Sequence, residues 1–201
     1  MMRGIVVSTA VALGVLVGCA QRLKLNPPQT LAVAVDQKHD YAVGLYADSE
    51  LKEQVHTIAT SPFDKLSFSI GEQTVVLFRQ NLPTVFRSVE DVESALPGSD
   101  VSLVLQPSIV SFTPVLPHPA YKPYVATIVF KVDVLDGKGE KIFTQTATGE
   151  GQTSKGMMSG FKAKSLMAKA TEMAMNEAMT QILEGLADAD ELGIEAIAPH
   201  S

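Results

Sequence analysis

The sequence predicts an α+β fold, a two-layer sandwich with helices packed on one face of a mainly antiparallel sheet. Three observations carry this. Residues 124–135 alternate, with Ala126, Ile128, Phe130, Val132 and Val134 on one face and Thr127, Lys131 and Asp133 on the other, the pattern of a strand with one solvated face. Asp136-Gly137-Lys138-Gly139 reads as a hairpin turn, and the Thr-rich stretch 142–148 as its return strand. From about Lys162 to Leu186, a stripe of Met167, Thr171, Ala174, Met175, Ala178, Ile182 and Leu186 advances in steps of three and four, the buried side of a long amphipathic helix.

The remaining elements follow in chain order. Residues 31–35 alternate in size and read as a strand, as do residues 41–46. Asp48 or Ser49 can cap a short helix reaching Val55, because either side chain can accept from an orphan backbone N–H. Residues 66–70 form a short strand. Ser69 and Glu72 have capping-box spacing, and Val75, Phe78, Leu82 and Val85 or Phe86 continue at helical spacing. Pro83 either ends this helix near Asn81 or kinks it. Residues 89–92 suit a short strand, and Pro97-Gly98-Ser99-Asp100 a turn. Residues 101–106 alternate as a strand that Pro107 bends or confines to an edge, with 110–112 as its continuation. Pro114, Pro117, Pro119 and Pro123 punctuate a loop, and the stretch 149–160 is a glycine-rich loop before the long helix.

Composition bounds the function. The 201 residues are 46% hydrophobic and 19% charged, enough for one domain with a real core. The net charge of -6 argues against nucleic acid, whose phosphates need a basic footprint. A single cysteine forms no internal disulfide, and with 4 histidines a zinc cage is not expected. His39, His56, His118 and His200 stand far apart and read as solvated imidazoles.

No reaction chemistry assembles from the motifs. In Glu150-Gly151-Gln152-Thr153-Ser154-Lys155-Gly156 the lysine precedes the glycine and Met157 follows, the wrong order for a phosphate loop, so no nucleotide is expected. Asp48, Asp64, Glu72 and Glu150 each have a simpler role as cap, turn or solvated face. No Gly-x-Ser-x-Gly elbow occurs. No catalytic residue, metal or cofactor is expected. Met167 and Met175 belong to the buried stripe, whereas Met157 and Met158 lie in the glycine-rich loop. They form a contact surface there, with Tyr121 of the proline loop, or else tuck under the closing helix.

The N-terminus carries an address. Met1-Met2-Arg3 is followed by an apolar run from Ile5 to Gly18, too short for a comfortable membrane span and shaped like a secretory signal. It ends in Leu16-Val17-Gly18-Cys19, which resembles the lipobox of bacterial lipoproteins. The resemblance implies cleavage before Cys19, a diacylglyceryl group on its sulfur and acylation of the new amine. Ala20, rather than Asp, follows; in Gram-negative members this implies the inner leaflet of the outer membrane, facing the periplasm. In a Gram-positive cell the same residue would hold the chain at the cell surface. The expected organisation is a signal peptide over residues 1–18, lipidated Cys19 and an extended Pro-containing tether over 19–28, one domain over 29–186 and an acidic tail over 187–201.

The Ser69-Ile70-Gly71-Glu72 helix start, Phe78 and Phe86, the Asp136–Gly139 hairpin and the closing helix together resemble small periplasmic lipoproteins of the YajG type and the N-terminal domain of TolB. The resemblance is one of pattern over about Leu31 to Leu186. It implies a non-enzymatic envelope accessory, and the expected role is to dock on periplasmic or outer-membrane protein partners or to help assemble their complex. A carrier of a lipid or other apolar ligand held between sheet and helix, as an auxiliary lipoprotein of a transport system, is the alternative. An enzyme ranks third.

Overall fold

A computed structural model describes residues 20–26, 28–33, 38–60, 64–96, 101–116, 123–153 and 160–189. The elements are β1 (Ala20–Leu23), β2 (His39–Leu45), α1 (Ser49–Glu53), β3 (His56–Ala59), β4 (Lys65–Phe68), α2 (Ile70–Asn81), β5 (Phe86–Asp91), β6 (Leu103–Val115), β7 (Val125–Leu135), β8 (Lys141–Gln152) and α3 (Gly160–Ala187). They form two sheets rather than one, a five-stranded sheet of order β5-β2-β6-β7-β8 and a three-stranded sheet of order β1-β4-β3. The large sheet is mixed. The β6-β7-β8 meander is antiparallel, but β2 runs parallel to both β5 and β6. The small sheet is mixed as well, with β1 parallel and β3 antiparallel to β4.

The alternation of β7 decides where the core lies. Ala126, Ile128, Phe130, Val132 and Val134 are all fully buried, while the odd-numbered positions 125–133 are half-buried. Against the buried face lie α2, whose Phe78 ring meets Phe130 edge-on at 5.7 Å, and α3, which covers β7 and β8. The α3 stripe from Met167 to Leu186 is buried as its spacing requires. The small sheet packs on the same side as the helices. Phe68 of β4 meets Phe112 of β6 at 5.3 Å, and Phe112 is in register with inward-facing Ile128.

Several expectations are corrected. Residues 31–33 are not a strand, because the Leu31 N–H is taken by the side-chain oxygen of Asn81 at 2.7 Å. The stretch read as a tether is extended, but it is also part of the fold: residues 20–23 pair with β4, and Leu23 and Leu25 join the core. Strand β3 had not been anticipated. Strand β8 runs to Gln152, so Gly149 and Gly151 lie in a strand and not in a loop. Helix α1 is capped by Asp48, which accepts from the Leu51 N–H at 2.7 Å, and ends at Glu53. Helix α2 ends at Asn81, and a 3-10 turn over 82–84 absorbs Pro83. Its capping box does not form. Ser69 makes no side-chain cap, and the orphan N–H of Gly71 donates instead to Gln54 O at 3.1 Å. Pro107 sits beyond the last residue of β6 that pairs with β2, where no ladder donor is needed.

Candidate functional site

Tyr121, Met157 and Met158, the contact residues expected from sequence, lie outside the described residues, as does Cys19. The segments bearing them have described roots. Val115 of β6 pairs with Val125 of β7, and Val125 pairs with Gln152 of β8. The Thr153 N–H donates to Tyr124 O at 3.0 Å. The ends of 117–122 and 154–159 therefore start from one end of the large sheet. Helix α3 begins at this end too, because it runs antiparallel to β8, with Ala170 opposite Gly151 and Gly185 opposite Gln145.

The N-terminal segment joins the same end. Ala20 pairs with Lys65, and the Gln21 side chain accepts a hydrogen bond from Lys164 Nζ in the second turn of α3. Farther along, Glu172 Oε1 accepts from the Asn26 backbone N–H at 2.6 Å and from its Nδ2 at 3.0 Å. Asn81 secures the next residues, with Nδ2 donating to Gln29 O at 3.3 Å. Three clefts flank this segment. One of about 450 Å³ lies between residues 22–26 and α3. Another of about 460 Å³ lies between 22–28 and α2. The third, about 230 Å³, lies between 25–29 and both helices.

Between sheet and helix there is contact rather than space. A Cβ on Gly151 would stand 1.8 Å from Ala170 O, and one on Gly149 2.0 Å from Ala174 O. The three clefts lie outside these layers, along residues 22–29.

No protein-family model matches the chain, and no curated protein matches its sequence. Several solved structures superpose on the chain in part. A DUF330 protein of Xanthomonas campestris superposes with a TM-score of 0.49 at 11% identity, covering 82% of this chain and 93% of that one. A minor lipoprotein of Acinetobacter baumannii gives 0.44 at 11% identity, covering 75% and 93%. PelC of Paraburkholderia phytofirmans, a dodecamer, gives 0.38 at 14% identity, covering 73% and 96%.

Several ionisable residues take structural roles. His39 is half-buried, stacked on Tyr41 at 5.5 Å with its Nε2 2.9 Å from Leu186 O at the end of α3. His56 meets Phe112 edge-on at 5.1 Å. These two imidazoles are packing residues rather than solvated ones; His118 and His200 lie outside the described residues. Among the described residues no group of His, Cys, Asp and Glu could hold a metal, and no helix is long and apolar enough to cross a membrane. Asp48 caps α1, and the backbone N–H of Glu150 donates to Glu177 Oε2 at 2.8 Å.

The cationic residues Arg22 and Lys24, with Lys164 and Lys169, line the cleft of about 450 Å³ beside α3. Arg22 and Lys24 fall within the stretch 19–28 expected to be a tether, a reading that gives no sign of a partner. A signal was present: Arg22, Leu23, Lys24, Leu25 and Asn26 alternate exposed and buried, a period of two that the following prolines obscured.

Proposed function

We propose that this chain is a lipid-anchored, non-catalytic envelope protein that docks on protein partners in the periplasm or outer membrane, with Cys19 held in the inner leaflet of the outer membrane. The observation that carries this reading is the placement of the lipobox. Leu16-Val17-Gly18-Cys19 is followed without a spacer by β1, beginning at Ala20. An acylated Cys19 therefore places the folded domain directly at the bilayer, with the roots of 117–122 and 154–159 at the same end. Several acyl chains on one residue bind membrane firmly, since each buried CH₂ contributes about 0.8 kcal/mol. Tyr121, Met157 and Met158 supply the partner surface in this reading. An apolar carrier is less well supported, because a cargo would have to lie along residues 22–29 and not between sheet and helix.

The test has two parts. Mass spectrometry of the mature N-terminus is expected to find a triacylated Cys19, and Cys19→Ser to leave the chain unprocessed or mislocalised. A wild-type chain that still starts at Met1 refutes the anchor. In crosslinking pulldowns from intact envelopes, Met157→Asp with Met158→Asp is expected to abolish partner capture with an unchanged circular dichroism spectrum. Normal folding with normal capture removes the methionine pair from the docking surface.

A further inference from the structure

The cleft between the β1 segment and the start of α3 carries charge of the wrong sign for a chain of net charge -6. Arg22 and Lys24 line one wall, Lys164 and Lys169 the other, and all four are exposed. One carboxylate, Glu172, is present, and it is engaged by Asn26 through both the backbone N–H and Nδ2. Among the described residues, the ion pairs are Arg79–Asp91, Arg87–Asp40, Lys131–Asp133 and Lys141–Asp133, so none of the four cleft cations is neutralised by a carboxylate. Helix α3 adds to the imbalance. Its first turn holds no acidic residue, and its N-terminal end presents a partial positive charge that opposes nearby lysines. Such a cluster is stabilised by an anion from outside the chain.

The place of the cleft says which anion. Arg22 is three residues from Cys19, and the cleft runs along residues 22–26, the segment that follows the proposed anchor. Headgroups of the surrounding leaflet are thereby presented to it at high effective concentration. A volume of about 450 Å³ is within the size range of small-molecule sites, roughly 300–1,000 Å³. An arginine can grip a phosphate through two parallel N–H bonds, and lysines act on it as point charges. We propose that this cleft seats the phosphate headgroup of an anionic phospholipid from the bilayer that holds Cys19. The assignment rests on the anchored reading above, and it fixes the domain's orientation by a second contact beside the acyl chains.

Native mass spectrometry of the mature, full-length lipoprotein, released from nanodiscs, tests this. With phosphatidylglycerol and phosphatidylcholine present together, the protein is expected to retain one phosphatidylglycerol in preference by about tenfold, a scale set by cationic attraction to anionic lipid. Lys164→Glu with Lys169→Glu is expected to remove the preference. The milder Lys164→Gln with Lys169→Gln weakens it in the same direction and serves if the reversed pair does not fold. Lys38→Glu with Lys138→Glu makes the same change in net charge away from the cleft and is expected to keep the lipid. Equal retention of the two lipids by the wild type, or equal loss in both charge-reversed variants, overturns the proposal. So does displacement of phosphatidylglycerol by inorganic phosphate at equal concentration, which would make this a site for a free anion. The same spectra report the mass of Cys19. An unmodified cysteine refutes the anchored reading and this assignment with it, whereas an acylated protein without lipid preference refutes the cleft alone.

Discussion

Phe130 concentrates the core in one side chain. It is fully buried on the inward face of β7 and meets Phe78 of α2 edge-on. Phe130→Ala therefore leaves a cavity shared by sheet and helix, and the expected cost is about 3–5 kcal/mol; an unchanged denaturation midpoint would contradict it. On the opposite face, Asp133 sits across from Thr144, whose hydroxyl donates to it at 2.7 Å, with Lys131 Nζ at 2.9 Å and Lys141 Nζ at 3.7 Å. Burial pushes the carboxyl up, but the Thr144 and Lys131 hydrogen bonds and the two ammonium charges outweigh it, so its pKa lies below the ordinary value. A lowered folded pKa contributes stability above the unfolded value, about 3.9, that is lost as pH falls through the folded one. Wild type is thus expected to exceed Asp133→Asn in stability at neutral pH, with the gap closing in acid. A gap that does not change between neutral and strongly acidic denaturation curves would contradict this. The face of Phe130 was legible because alternation is local. The work of Asn81 was not, since its partners Gln29 and Leu31 lie about fifty residues away in the chain.

At the scale of elements, α3 and β8 approach each other backbone to backbone. The glycines of β8 read as loop residues in sequence because glycine weakens a strand. Here they are strand residues, and their missing Cβ atoms let the helix backbone approach through Ala170 and Ala174. The helix also protects the sheet edge. Gln181 Nε2 donates to Thr148 O at 2.9 Å and Glu177 accepts from the Glu150 N–H, which occupies backbone groups that an edge strand otherwise offers to other chains. Gly151→Ala is expected to destabilise by at least about 1–3 kcal/mol, since the obstructing atom is a backbone carbonyl oxygen. Gly137→Ala, where a Cβ meets nothing within 4 Å, is expected to stay within about 0.5 kcal/mol. Equal melting temperatures for the two variants would refute the close approach. Long elements with a strong period, β7 and α3, were legible. The four-residue strands β1 and β3 were not, because so short a run gains its stability from partners and not from its own pattern.

For the whole molecule, the combination of sheet and packed helices was legible, whereas the second sheet, the parallel pairings and the topology were not. Strand β2 lies between β5 and β6, parallel to both, and parallel neighbours require crossovers that no local signal announces. Likewise, a tether and a docked strand are both extended, so Pro27 and Pro28 pointed to the first while Leu23 and Leu25 belong to the second. The candidate site followed the same division. The lipobox is a contiguous motif and could be read directly, whereas the four cations of the cleft come from two segments about 140 residues apart. The start of β1 at Ala20 also has a mechanical meaning. If Cys19 is acylated as proposed, a force drawn through its acyl chains enters the domain at the first residue of a strand and travels along its axis. The ladder from Ala20↔Lys65 to Leu23↔Phe68 then takes the load side by side, like an overlapping joint pulled lengthwise, instead of opening one bond at a time. Asn26, held by Glu172, lies behind that joint as a second catch. In that proposed state, extraction from the bilayer would strain lipid and protein in series, and the fold itself would become part of the anchor's strength.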